Sequence, residues 1–147
     1  AALDIASVLG IPLVPKVNLL LCPTTVQAIA AHEACDAICI SNTLPWGTLP
    51  EIIDWKGLFG SDVSPLAKYG GGGLSGAPLL PLLRGWLAEA RDVVKKPIIA
   101  GGGILSADDV EAVSRQGVSA VALGTIAMLR PWSVADAIER AHDKFID

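Results

Sequence analysis

The chain has 147 residues, of which 52% are hydrophobic and 18% are charged, and its formal net charge is −4. This length suggests one domain that can bury a substantial core, and the negative charge without any run of basic residues disfavours nucleic-acid binding. The low charged fraction indicates either a parallel α/β fold, whose strands are buried on both faces, or an apolar surface that another segment covers.

Neither a leader nor a membrane-spanning segment is expected from the sequence. The longest apolar stretch is interrupted well short of the roughly 18 residues that a membrane-spanning helix needs, and the first residues lack the basic start of a secretion signal. Cys22, Cys35 and Cys39 fit no zinc-binding spacing and are predicted to be reduced thiols in or near the core. We therefore expect a cytoplasmic protein, although the sequence leaves contact with a membrane open.

The first part of the chain predicts the end of a helix, then a strand, a helix and a second strand. Gly10 is expected to stop the first helix. Prolines shorten the first strand, so Lys16 is expected at its C-terminal end. The second strand ends abruptly in the polar residues Ser41, Asn42 and Thr43. The predicted ranges are Leu3–Leu9, Ile11–Leu21, Pro23–Cys35 and Asp36–Thr43.

Residues 44–70 differ in character from their surroundings. They contain three prolines, two tryptophans and several glycines, and no helical or strand period persists through them. Long segments of this kind in compact domains are usually functional or disordered. Because the aromatic content argues against disorder, we predict an ordered lid or flap.

The rest of the chain predicts two more strands, each followed by a helix. A glycine-rich loop, Gly70–Gly76, leads into the predicted elements Leu79–Val94, Pro97–Ala100, Ala107–Gln116, Ser119–Leu123 and Val134–Phe145. Ser133 is the expected cap of the last helix. Strands that alternate with helices at this pitch predict a parallel sheet with right-handed crossovers, either half of an eight-stranded barrel or a small open sheet.

Each predicted strand ends in residues that suit a ligand site. Such sites lie at the C-terminal ends of parallel strands, where side-chain-free loops let backbone N–H groups approach a phosphate. A strand-end lysine or an Asn-Thr turn alone is usually structural, but all four ends together predict one site for a phosphorylated ligand with a polar heterocycle. The four ends are Lys16, Ser41-Asn42-Thr43, Gly101-Gly102-Gly103 and Gly124-Thr125.

Five short motifs follow one another along the chain: Pro12-Leu13-Val14-Pro15-Lys16, Ser41-Asn42-Thr43, Gly72–Pro78, Pro97–Ile104 and Gly124-Thr125. In this order and spacing they resemble the dihydroorotate dehydrogenase family, flavin mononucleotide (FMN) enzymes built on a (β/α)8 barrel of TIM type. The resemblance covers nearly the whole chain. It implies that residues 1–147 are the C-terminal half of such a barrel, with about strands 5–8.

The resemblance also implies roles for individual residues. Lys16 would contact the flavin ring and Ser41 would lie beside it, while Asn42 and Thr43 would face a dihydroorotate- or orotate-like substrate. The ribityl phosphate of FMN would be held by Gly76, Gly102, Gly103, Gly124 and Thr125. The implied reaction is the oxidation of dihydroorotate to orotate in pyrimidine biosynthesis, with hydride passing to the flavin.

Two departures from the family pattern shape the expectations for this chain. The Ser or Cys that serves as the family's catalytic base precedes the lysine strand and is not matched here, so no catalytic residue is assigned. Strands 1–4 are unmatched for the same reason, which predicts a fragment or split product whose partner is the N-terminal half. The second departure is the tryptophan-bearing insertion Leu44–Gly70, in which Pro45 and Trp46 directly follow Asn42-Thr43; it leaves the exact substrate open and allows a divergent relative. The alternatives are a non-flavin phosphate-binding isomerase or lyase, and a non-catalytic half-barrel that forms a homo-oligomer through its open edges. Neither the electron acceptor nor the exact substrate follows from these motifs.

Overall fold

A four-stranded parallel sheet forms the centre of the protein, as seen in a computed structural model that describes residues 2–146. The strands are β1 (Lys16–Val17), β2 (Ile38–Ile40), β3 (Leu44–Pro45), β4 (Gly73–Leu74), β5 (Ile98–Gly101) and β6 (Ala120–Ala122). The main sheet has the order β1-β2-β5-β6, and β3 pairs with β4 in a separate antiparallel ribbon. The predicted parallel α/β class is confirmed.

Seven α-helices and two short 3-10 helices are found among residues 2–146. The α-helices are α1 (Ala2–Ser7), α2 (Pro23–Ala30), α3 (Trp55–Phe59), α4 (Leu79–Ala90), α5 (Ala107–Ser114), α6 (Thr125–Leu129) and α7 (Val134–Phe145). The 3-10 helices are Ala67–Tyr69 and Pro131–Ser133. Within this part of the chain, no helix combines the length and apolar character needed to cross a bilayer.

The main core lies between the sheet and the helices that follow its strands. On α4, the buried residues Leu83, Leu87 and Ala90 recur every three to four positions, so one face of the helix packs inward. Ile38 and Ile40 are also fully buried. Burial of each large aliphatic side chain is worth about 1.5–3 kcal/mol, so this shared interior holds the strand ends in place.

The segment between β2 and α4 forms its own small apolar cluster. Residues 44–74, which we call the flap, bury Leu44, Ile53, Trp55 and Leu74 together. Trp46 packs against the rings of Trp55 and Phe59, with centroids 4.8 and 5.0 Å away. The segment therefore packs around a small core of its own. Its β3–β4 ribbon went unpredicted because two-residue strands are too short to show an alternating pattern.

Three local predictions were wrong. Lys16 begins β1 instead of ending it. Pro15 still accepts the Cys39 N–H through its carbonyl at 2.9 Å, but it has no N–H of its own with which to continue the pairing towards the N-terminus. Ser133 makes no capping hydrogen bond, since its backbone is already helical (φ −96°, ψ 0°) and a cap needs an extended backbone. Cys22 is exposed, because it is the residue that precedes α2 at the surface, whereas Cys35 is buried and Cys39 is half-buried.

Candidate functional site

A cavity of about 290 Å³ opens at the C-terminal end of the parallel sheet. It receives residues from the ends of all four strands, from the loop between β4 and α4, and from α4 and α6. The lining residues are Lys16, Ser41, Asn42, Thr43, Ser75, Leu79, Gly101, Gly102, Gly103, Ile104, Ala122, Leu123, Gly124, Thr125 and Met128. The site thus lies where parallel α/β folds bind their ligands.

The end of β2 supplies three polar side chains to one wall. Ser41 is buried, and its hydroxyl donates to the carbonyl oxygen of Gly101 at 3.1 Å. Asn42 accepts the Thr43 N–H through Oδ1 at 3.0 Å, and its own N–H donates to the carbonyl of Val17 at 2.8 Å. Asn42 and Thr43 are both exposed and line the cavity. Together they offer a ligand both donors and an acceptor.

The loop after β5 brings bare backbone close to the preceding glycine loop. Gly102 and Gly103 have φ values of +118° and +78°, which favour glycine. A Cβ on Gly103 would lie 2.5 Å from the nitrogen of Leu80 and 2.8 Å from the carbonyl oxygen of Gly76. Side chains are therefore excluded here, and the start of α4 packs directly on the loop.

The loop after β6 completes the glycine-lined side of the cavity. Gly124 precedes α6, whose first turn begins at Thr125 without any side-chain cap. A Cβ on Gly124 would meet no atom within 4 Å, so this wall faces open space. A Cβ on Gly76 would lie 3.4 Å from Cγ2 of Thr125, which places the two glycine loops side by side.

Lys16 is the one cationic side chain that lines the cavity, among the residues described. It is exposed and makes no salt bridge within residues 2–146. Its backbone is paired in register with Cys39 of β2. Burial raises the pKa of the Cys39 thiol, and the nearby positive charge of Lys16 offsets part of that rise. The cavity therefore presents a free positive charge at one side of its mouth.

No Asp, Glu or His lines the cavity formed by residues 2–146. Nor does this part of the chain bring together three side chains of the kind that ligate metals. The cavity offers hydrogen-bond donors, a cation and bare backbone, but no carboxylate or imidazole that could take a proton from a ligand.

Most of the residues singled out in the sequence meet at this cavity. Eight line it directly: Lys16, Ser41, Asn42, Thr43, Gly102, Gly103, Gly124 and Thr125. Gly76 is buried behind the wall, next to Thr125. Sequence reasoning did not select Ser75, Leu79 or Met128. Ser75 lies within the motif Gly72–Pro78 and could have been chosen, whereas nothing in the sequence separates Leu79 or Met128 from ordinary core residues.

Comparison with known proteins gives a consistent result. The family model described as dihydroorotate dehydrogenase matches residues 8–145. The chain is 31% identical over 111 residues to the dihydroorotate dehydrogenase B (NAD(+)) catalytic subunit of Thermodesulfovibrio yellowstonii, covering 76% of this chain and 34% of that protein. It is 36% identical over 106 residues to the corresponding subunit of Listeria monocytogenes serotype 4b, with 72% and 32% covered.

A solved structure shows the same fold. The crystal structure of DHODH from Eimeria tenella in complex with ferulenol matches with a TM-score of 0.64 at 25% identity, over 90% of this chain and 33% of that one. The predicted TIM-type barrel class is thereby confirmed. The chain spans about a third of the length of the relatives it matches.

Proposed function

Because the chain belongs to the dihydroorotate dehydrogenase family, we propose that it is the FMN-binding, C-terminal half of a barrel that oxidises dihydroorotate to orotate. One observation supports this function most. Lys16, the Asn42–Thr43 pair and the glycine loops come from four separate strand ends and converge on a single cavity. Such convergence suits a large ligand that carries a phosphate at one end and a polar ring at the other.

The glycine-lined side of the cavity suits the phosphate of FMN. Gly102, Gly103 and Gly124 line it with backbone, Gly76 backs the wall, and Thr125 adds a hydroxyl. The open space in front of Gly124 leaves room for a ligand to approach the main chain. FMN, when bound, supplies the two-electron acceptor that the oxidation needs.

The opposite side of the cavity suits the pyrimidine and the flavin ring. Asn42 and Thr43 provide donors and acceptors that complement the amide and carboxylate groups of dihydroorotate. Lys16 places a positive charge where negative charge develops during the oxidation. Since no base lines the cavity in residues 2–146, we assign proton removal to a residue of the other half of the barrel.

The partner that we propose is this N-terminal half, which would pair with both open edges of the sheet. Beside β1, an apolar groove of about 580 Å³ lies between α1, the 13–15 segment and α2. Beside β6, a groove of about 340 Å³ is lined by residues of β6 and α7. Parallel sheets are normally buried on both faces and closed in barrels, so strands 4 and 1 would fill these grooves.

We place the protein in the cytoplasm, where its free thiols stay reduced.

The test is flavin binding by the protein completed with the remaining strands. The purified protein should carry FMN, and anaerobic dihydroorotate should bleach the visible absorbance of the flavin. Gly124→Ala should weaken FMN binding roughly tenfold, because its methyl enters open space at the cavity wall and does not disturb the fold. Gly85→Ala is the matched control, since its Cβ also meets no atom within 4 Å but lies on α4 outside the cavity.

The outcome separates the proposal from its alternative. A protein that binds sugar phosphates but no flavin would instead be an isomerase or lyase. A protein that binds FMN but is not reduced by dihydroorotate would contradict the substrate assignment and leave the cofactor assignment standing.

A further inference from the structure

Ser41 is the only buried residue with a polar or charged side chain in the described part of the protein, with 8% of its surface exposed. It lies directly after β2, at the wall of the cavity. A buried hydroxyl must find a hydrogen-bond partner or destabilise the fold. The choice of partner therefore indicates what this side chain does.

Both donors of Ser41 meet at a single acceptor on the neighbouring strand. Its backbone N–H donates to the carbonyl oxygen of Gly101 at 2.7 Å, and its hydroxyl donates to the same oxygen at 3.1 Å. A carbonyl oxygen has two lone pairs, so both bonds can form at once. Gly101 is the last residue of β5 and the first of the three-glycine loop.

These two hydrogen bonds to one carbonyl oxygen restrain the loop that follows. The peptide group is planar, so fixing the Gly101 carbonyl also fixes the direction of the Gly102 N–H on the other side of the same plane. Gly102 and Gly103 both have positive φ, in a conformational region where glycine is soft and no side chain anchors the backbone. The loop therefore depends on an external tether for its orientation.

The contact between Ser41 and the loop is also a close one. A Cβ on Gly102 would lie 2.7 Å from the Ser41 Oγ, so the hydroxyl occupies the space above the Gly102 Cα. The hydroxyl thus limits the movement of the loop from one side and ties its first peptide from the other.

We infer that Ser41 is a positioning residue for phosphate: acting through the Gly101 carbonyl, it holds the Gly102–Gly103 backbone in the orientation that binds the phosphate of the cofactor. The inference rests on the proposed function. It differs from a direct contact between Ser41 and the flavin ring, because the Ser41 hydroxyl already donates its hydrogen bond to the Gly101 carbonyl.

The experiment compares two ligands, FMN and riboflavin, which differ only in the phosphate. Ser41→Ala in the completed barrel removes the hydroxyl but keeps the 2.7 Å backbone bond to Gly101, so the variant should fold. We expect the dissociation constant for FMN, measured by quenching of flavin fluorescence, to rise roughly tenfold. The dissociation constant for riboflavin should change less than twofold.

Ser64→Ala is the matched control. The Ser64 hydroxyl also donates to a glycine carbonyl, that of Gly71, at 2.5 Å, but it lies in the flap and does not line the cavity. This variant should change neither dissociation constant. If Ser41→Ala raised the dissociation constants for FMN and riboflavin equally, or changed neither, the inference would be wrong. The proposed function would still stand as long as the unaltered protein bound FMN. If the unaltered protein bound no FMN, both would fall.

Discussion

Thr43 and Gly73 face each other so closely at the base of the flap that a Cβ on Gly73 would lie 2.7 Å from the Thr43 hydroxyl oxygen and 2.8 Å from the Thr43 Cβ. Thr43 lines the cavity, and Gly73 belongs to β4, which pairs with β3 immediately after Thr43. The missing side chain at Gly73 thus lets the flap pack down beside Thr43 at the wall of the cavity.

Replacement of Gly73 by alanine should displace Thr43 and weaken substrate binding. The added methyl cannot be accommodated without movement, so we expect a stability loss of about 1–3 kcal/mol from overpacking and a rise of roughly tenfold in KM for dihydroorotate. FMN affinity should stay within about twofold, because the glycine loops lie on the other side of the cavity. Steady-state kinetics and FMN titration measure both effects. An unchanged KM in a variant that is measurably less stable would show that Thr43 does not contact the substrate.

Lys16 provides the second prediction. It is exposed and forms no salt bridge within residues 2–146, so Lys16→Ala should change stability by less than about 0.5 kcal/mol. The rate at which dihydroorotate reduces the bound flavin should fall roughly 100-fold, because a preorganised charge is lost from the site. Stopped-flow absorbance measures this rate. Lys56→Ala, which breaks an exposed ion pair with Asp62 in the flap, is the control and should leave the rate unchanged. Equal rates of flavin reduction in the Lys16→Ala and Lys56→Ala variants would show that Lys16 has no role in the reaction.

The sequence predicted those features of the fold that depend on regular spacing. The alternation of apolar runs and helical faces was enough for the parallel sheet, and the bounds of α7 came out as Val134–Phe145. Short elements were not predictable, because the two-residue strands β3 and β4 are stabilised by tertiary packing of the flap and not by local propensity. The start of β1 at Lys16 was not predictable either, because it depends on the pairing of Lys16 with Cys39 of the neighbouring strand.

For the candidate site, sequence reasoning located the polar and glycine residues but not their connections. A strand-end serine is an expected site residue, yet nothing in the order of residues shows that Ser41 donates to Gly101, 60 positions away. The contribution of Leu79 and Met128 to the cavity lining could not be predicted either, because both belong to ordinary helical patterns. Long-range geometry decides such contacts, and only the folded structure supplies it.

Glu111 leads to a prediction about acid stability. Its carboxylate joins α5 to α7, with Arg115 Nη2 and Arg140 Nη1 at 3.0 Å and Lys144 Nζ at 2.9 Å. The hydrogen bond from Lys144, then that from Arg115, lowers the pKa of Glu111 below its ordinary 4.5. A depressed folded pKa means that this stabilisation is present above the ordinary value and is lost as the pH falls through the folded pKa.

Glu111→Gln should therefore lower the melting temperature at pH 7, and the difference from the unaltered protein should shrink as the pH falls below about 4.5. Thermal unfolding followed by circular dichroism across this range measures the difference. Asp62→Asn breaks the more exposed Lys56–Asp62 pair and should have almost no effect at any pH. A difference that stayed constant down to pH 2 would mean that the carboxylate charge is not what links the two helices.

Cys22 should be the most reactive of the three thiols near neutral pH. Hydrogen bonds with the hydroxyls of Thr24 and Thr25, each 3.1 Å from the sulfur, lower the pKa of Cys22 to about 7. Burial instead raises the pKa of Cys35 and of Cys39. The rate of iodoacetamide labelling of Cys22, followed by peptide mass spectrometry, should therefore rise with a midpoint near pH 7 while the other two thiols remain unlabelled. The double variant Thr24→Val, Thr25→Val keeps the side-chain shape and should move the midpoint towards about 8.5. The same midpoint in the unaltered protein and in the double variant would refute a role for the two hydroxyls.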